Sequence, residues 1–222
     1  MNANYIIVHD CETGGLDPDE NPITQYAAVI LDPLTLDEVD RYETYVQPYC
    51  DLKIDPQAIA ATQVEMSDIK RGIPLDQFVK EVTFLYKSYQ LKHTAKGAGR
   101  LISVGHNVQF DHGFLEYALG VNGINFWDYI MPNFIDTMTL AQLTWEKAFP
   151  KEKINLSNCV KIAKLDLTDA HGAMNDVEAT ADLFRYFANK LRKRGSFLDQ
   201  DDDKPLKKKE FFEFRCGQSK TL

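Results

Sequence analysis

The period of apolar residues changes several times along the chain, and each change marks an element. Tyr5-Ile6-Ile7-Val8, followed by His9, is a short β-branched run that predicts a buried strand over residues 5–9. Residues 25–31 and 42–46 predict two more strands, separated by the turn-like Asp32-Pro33-Leu34-Thr35. So short a connection makes them antiparallel neighbours. Residues 56–61 predict the opening turns of a helix, with Pro56 at its start. Over residues 74–90, Leu75, Phe78, Val79, Val82, Leu85, Tyr86 and Tyr89 recur at helical spacing. The basic, glycine-containing stretch 92–100 predicts a loop. Residues 101–105 predict a strand that leads into a helix over 110–119, and a short strand at 134–135 ends near Asp136. Helices are expected over 137–145, 156–163 and 174–191. The sum is an α/β fold with a central sheet flanked by helices.

From Gly195 onward the periodicity fades. Residues 199–203 are acidic, 204–209 are basic, and Phe211-Phe212-Glu213-Phe214 is the main apolar element. The expected organisation is one domain over residues 1–194 and a flexible charged tail over 195–222. A chain of 222 residues, 44% hydrophobic and 26% charged, has the composition of a soluble globular protein. No apolar stretch approaches the roughly 18 residues of a membrane span. Met1-Asn2-Ala3-Asn4 lacks the basic and apolar regions of a signal peptide. Cys11, Cys50, Cys159 and Cys216 form no C-x-x-C pair, so reduced thiols and a cytoplasmic location are expected.

A net charge of −8 argues against a nucleic-acid partner, but its distribution changes the picture. Residues 1–184 carry 14 basic and 27 acidic side chains, whereas residues 185–222 carry 11 basic and 6 acidic. The basic excess gathers at Lys190, Arg192, Lys193, Arg194 and Lys207-Lys208-Lys209. A site that works with divalent cations also tolerates acidity around it, because the ions invert the local charge.

The first strand runs into Asp10-Cys11-Glu12-Thr13. Strand side chains repeat every two residues, so Asp10 and Glu12 share a face and Cys11 takes the other. Two carboxylates on one face near a sheet centre repel each other unless a cation lies between them. Asp111 falls in the first turn of the 110–119 helix, where the helix dipole favours a carboxylate as ligand or as cap. His106 and Asn107 are placed to brace the strand end, and Asn107 also to contact substrate. Asp176 opens the last long helix among Ala173, Val177, Ala179 and Thr180, small or β-branched residues that allow a helix to lie close on a sheet. His171 stands five residues before it, on the segment that enters the helix.

Taken together, Asp10-Cys11-Glu12-Thr13-Gly14-Gly15-Leu16-Asp17, then His106-Asn107-x-x-x-Asp111, then His171-x-x-x-x-Asp176 followed by Ala179-Thr180-Ala181, resemble the DEDDh group of 3′–5′ exonucleases. That group holds the polymerase proofreading exonucleases, oligoribonuclease, ribonuclease T and exonuclease I. The motifs span residues 5 to about 190. The resemblance implies a ribonuclease H-like fold with a central mixed sheet, and two Mg²⁺ or Mn²⁺ ions. It implies that Asp10, Glu12 and Asp176 hold one ion, that Asp10 and Asp111 hold the other, and that His171 takes a proton from the attacking water. The implied partner is single-stranded nucleic acid with a free 3′ end, and the implied products are nucleoside 5′-monophosphates. Main-chain groups at Thr13 and Gly14 would approach the 3′-hydroxyl. Leu16 would wedge against the terminal base, or else fill the turn.

Two features depart from the pattern. Gln25 stands where many relatives carry a glutamate, although exonuclease I-like sequences also vary there, and the basic tail has no counterpart in the shared motifs. The tail is open to two roles: contact with a nucleic-acid backbone, or docking of a polymerase or repair partner through residues 211–214. Phe110, Phe126, Trp127 and Phe134 are open to base stacking or to core packing, and nothing in the chain decides between DNA and RNA. Alternatives to a free-standing exonuclease are a proofreading subunit with the same chemistry, and a binding module that keeps the fold without catalysis.

Overall fold

The computed structural model describes residues 4–62, 64–91, 99–145, 153–165 and 172–195. Strands β1 (Ile6–Thr13), β2 (Ile23–Leu31) and β3 (Glu38–Tyr45) come first, followed by helices α1 (Pro56–Thr62), α2 (Met66–Arg71) and α3 (Leu75–Tyr89). Strand β4 (Ile102–Gly105) leads into α4 (Val108–Gly120), and a 3₁₀ turn spans Phe126–Asp128. Strand β5 (Ile135–Asp136) and helices α5 (Thr137–Thr144), α6 (Leu156–Ala163) and α7 (Ala173–Gly195) complete the order. Residues 196–222, His171 and the loop residues 92–98 lie outside the described residues. Among the described residues no helix is long and apolar enough to cross a membrane.

The five strands form one mixed sheet in the order β3-β2-β1-β4-β5. The first three form an antiparallel meander; β4 and β5 join in parallel. The strand expected over residues 5–9 continues to Thr13. The extension has a clear cause: β1 pairs with β4 only over Ile6–Val8, but with β2 along its whole length, through Asp10↔Ala27 and Glu12↔Gln25. Likewise β3 begins at Glu38, not at residue 42, because its polar first half is held by pairing with β2 and not by burial. Helix α2 and the 3₁₀ turn were not expected from periodicity, being too short to show one.

The odd positions of β1 face the main core. Ile7 and Cys11 join Tyr26, Ile30, Phe78, Val82, Tyr86, Phe114 and Leu115 there. Residues Phe78, Val82, Leu85 and Tyr86 put the buried stripe of α3 against the sheet, while Phe84 faces outward at 74% exposure. Each large apolar side chain buried this way stabilises the fold by about 1.5–3 kcal/mol. The Tyr26 and Tyr86 hydroxyls meet at 3.1 Å, so the core leaves neither phenol unpaired. All nine residues of β2 are buried, which requires cover on both faces. The second cover is the N-terminal part of α7, where Ala173, Val177, Ala181 and Leu183 are buried. Arg185 ties it to the β2–β3 turn through the Leu36 carbonyl at 2.9 Å, and Glu178 to Arg41 of β3 at 3.0 Å.

Candidate active site

Asp10 and Glu12 project from the even face of β1, at the centre of the sheet. Asp176, in the first turn of α7, comes down on the same face. One carboxylate oxygen from each of the three lies within 4.8 Å of the others, an arrangement that can hold a metal ion. Asp111 reaches the cluster from the first turn of α4. It is 3% exposed, and its Oδ1 accepts the Cys11 N–H of β1 at 2.9 Å. That single bond pins the start of α4 to the strand between the two acids.

The local sequence explains why α4 starts where it does. A Cβ at Gly105 would come within 2.7 Å of the Val108 side chain, so the strand can turn directly into the helix only at a glycine. Asn107 then takes a left-handed conformation, with φ of 69°, and its N–H bonds Asp136 Oδ1 at 3.2 Å. His106 Nδ1 meets the Thr137 hydroxyl at 2.9 Å, and that hydroxyl donates to the Gly105 carbonyl at 3.0 Å. Asp136 in turn caps α5 by accepting from Met138 N–H at 2.8 Å. The β4 end is thus held from two sides, as the expected bracing role of His106 and Asn107 requires.

Among the described residues, the acids of the cluster raise one another's pKa values. Burial, then Asp111, Glu12 and Asp176, push the Asp10 carboxyl well above the usual range. Burial and Asp176 raise Glu12 to about 7. Burial raises Asp111 to about 8, against the opposing bond from Cys11 N–H. Acids this close cannot all ionise unaided.

The turn after β1 carries the remaining predicted positions. A Cβ on Gly14 would sit 2.9 Å from Pro22 Cδ, so glycine is required by packing there. Its N–H donates to the Pro22 carbonyl at 2.8 Å and its carbonyl accepts from Asp55 N–H at 2.7 Å. The Thr13 hydroxyl donates to the Gly15 carbonyl at 2.6 Å. Leu16 is 85% exposed, so it does not fill the turn. Of the aromatic residues, Phe126 is core, while Phe110, Trp127 and Phe134 are half-buried.

Sequence reasoning missed a second polar cluster. His9 Nε2, the Ser103 hydroxyl and His112 Nε2 form a buried chain at 2.7 and 2.9 Å, with the two imidazoles stacked at 5.4 Å. Burial holds both histidines below their usual pKa, His112 at about 4, so both are neutral. The strand period did contain the signal for His9, since it shares the inward face of Cys11. The contact with His112 has no sequence signal, because it depends on α4 packing.

The exonuclease family pattern matches residues 7–184. Ribonuclease T of Marinobacter nauticus is 30% identical over 200 residues, covering 86% of this chain and 85% of that one. Among solved structures, E. coli exonuclease I in complex with a dT13 oligonucleotide superposes with a TM-score of 0.70 at 19% identity. That match covers 88% of this chain but only 43% of exonuclease I. The nuclease domain of 3′hExo, a DEDDh family member bound to rAMP, gives a TM-score of 0.67 at 17% identity, covering 84% of this chain and 92% of that domain. The chain belongs to the exonuclease family. It is accordingly a 3′–5′ exonuclease, a phosphodiester hydrolase on a ribonuclease H-like fold.

Proposed function

We propose that this enzyme removes nucleotides from the free 3′ end of single-stranded nucleic acid, releasing nucleoside 5′-monophosphates, with two divalent cations as cofactors. The observation that carries the reading is the convergence of Asp10, Glu12 and Asp176 within 4.8 Å on one sheet face, with Asp111 bonded to the strand beside them. The raised carboxyls and the all-oxygen donor set fit Mg²⁺ or Mn²⁺. Asp10, Glu12 and Asp176 would hold one ion, and Asp10 with Asp111 the other. When bound, two such ions neutralise charge on the phosphate and make water more acidic.

The chain's own residues supply the rest. His171, with an imidazole suited to neutral pH, takes a proton from the attacking water. The exposed Leu16 packs on the terminal base, and Thr13, Gly14 and Asn107 border the 3′-nucleotide. The oligonucleotide in exonuclease I and the nucleotide in 3′hExo support a strand end as ligand, one with a deoxyribose and one with a ribose. Residues 1–194 would form the exonuclease domain. The basic tail would add a backbone contact or dock a polymerase or repair partner.

The test is product analysis on 5′-labelled single-stranded DNA and RNA of one sequence with Mg²⁺, beside Asp10→Ala. A ladder shrinking from the 3′ end, absent in the variant, is expected. Binding without a ladder on either strand would overturn the reading in favour of a non-catalytic module.

A further inference from the structure

Gln25 lies directly across from Glu12 in the β1–β2 register and is 3% exposed. Both ends of its amide are engaged. Nε2 donates to Glu43 Oε1 on β3 at 2.8 Å, and Oε1 accepts the main-chain N–H of Ala173 at 3.3 Å. Ala173 is the first residue of α7, so this N–H is one of those at a helix start that no intrahelical carbonyl can satisfy. Asp176 follows three residues later in the same turn, its N–H bonded to the Gly172 carbonyl at 3.1 Å. The geometry therefore runs in one line from β3, through Gln25, to the turn that presents Asp176 to Glu12.

An amide suits both partners without any change of protonation. It offers a donor toward the carboxylate and an acceptor toward the N–H. A glutamate here would face Glu43 acceptor to acceptor, with like charges in contact. A leucine would leave the Ala173 N–H buried without a partner.

We infer that Gln25, held by Glu43, is a positioning residue that sets where the start of α7 meets β1, and so fixes Asp176 against Glu12. The inference rests on the proposed role of these two acids as cation ligands. It also gives the departure from glutamate at this position a chemical reason: residues 25 and 43 act as a matched amide–carboxylate pair. A displacement of about 1 Å at a catalytic group can cost about 100-fold in rate.

The test uses the full chain, the variants Gln25→Leu and Gln25→Glu, and the double variant that combines Gln25→Glu with Glu43→Gln and so exchanges the pair. The readouts are kcat and KM at saturating Mg²⁺, Mg²⁺ affinity by calorimetry, melting temperature, and hydrogen exchange at the Ala173 amide. Gln25→Leu is expected to lower kcat about 10- to 100-fold, in the range for lost outer-shell support. KM should stay within about twofold, and the Ala173 amide should exchange faster. Gln25→Glu should be similarly impaired. The exchanged pair should recover most of kcat. Its amide at position 43 can donate to the carboxylate at position 25, which still accepts from the Ala173 N–H.

Wild-type kcat in a folded Gln25→Leu protein overturns the inference, and so does an exchanged pair no better than Gln25→Glu. Should Gln25→Leu fail to fold, the exchanged pair decides alone. An inactive wild type would count against the exonuclease reading instead. Mg²⁺ affinity then decides the role of Gln25, because a misplaced Asp176 weakens it and an unchanged value in Gln25→Leu refutes the role.

Discussion

The two faces of β1 hold two polar clusters of opposite character, one of half-buried acids around the buried Asp111 and one of buried histidines. On the even face, Asp10 and Glu12 meet Asp176, with Asp111 close by. On the odd face, His9 joins Ser103 and His112. The histidine chain needs no outside charge: the groups are neutral, and one hydroxyl can donate to one imidazole and accept from the other, although both Nδ1 atoms are buried with no hydrogen-bond partner among the described residues. The carboxylates cannot do this, since an ionised carboxylate only accepts. Their mutual repulsion is relieved by protons or by cations. Polarity that stays neutral inside the fold thus reads as architecture, and polarity that needs an external charge reads as a site.

Four measurements put that contrast at risk. The largest effect is expected from Asp10→Ala or Asp176→Ala, which should reduce hydrolysis to background and weaken Mg²⁺ binding while the fold melts as before. Turnover retained in either would dissolve the distinction between the faces. Next comes His171→Ala, expected to slow the reaction by about 10²–10⁴-fold, the range for a lost general base. A rate close to wild type would remove it from the chemistry.

On the other face, Ser103→Ala removes the shared partner of both imidazoles. It should cost about 1–3 kcal/mol of stability by denaturant titration, with kcat at saturating Mg²⁺ within about threefold. A collapse of kcat at unchanged stability would place the histidine chain in the catalytic machinery.

The smallest effect is a pH dependence. In the metal-free protein, Glu12 and Asp111 titrate at about 7 and about 8, against about 4 in an unfolded chain. A raised carboxyl contributes fully to stability below the unfolded value and loses that contribution as pH rises through the folded value. The metal-free melting temperature should therefore fall between about pH 5 and pH 8. Mg²⁺ should flatten the slope by binding the ionised form, with proton release detectable by calorimetry in two buffers. The histidines run the other way, since neutral buried imidazoles disfavour acid. A melting temperature that rises with pH up to about 6.5, where an unfolded imidazole loses its proton, would mean that they dominate there.

Much of this was legible without coordinates. The alternation of Ile7, Cys11 against Asp10, Glu12 separates the two faces of β1, because a strand admits only one side-chain period. The spacing of Phe78, Val82 and Leu85 defines the face of α3 in the same local way. Asp111 and Asp176 at the starts of their helices follow from the residues around them. The boundaries of β1 and β3 did not, because pairing with β2, and not their own apolar content, carries those strands further than their hydrophobic runs suggest.

Local geometry is therefore written in the chain: which acids share a strand face, which open a helix, and in what order they come. Their meeting depends on the packed fold. Cys11 N–H reaches Asp111 across 100 residues, and Gln25 reaches Ala173 across 148. No local rule bears on such distances. They exist because the meander, α4 and α7 have a common hydrophobic reason to pack on one sheet, and that packing brings residues distant in the chain into hydrogen-bond range.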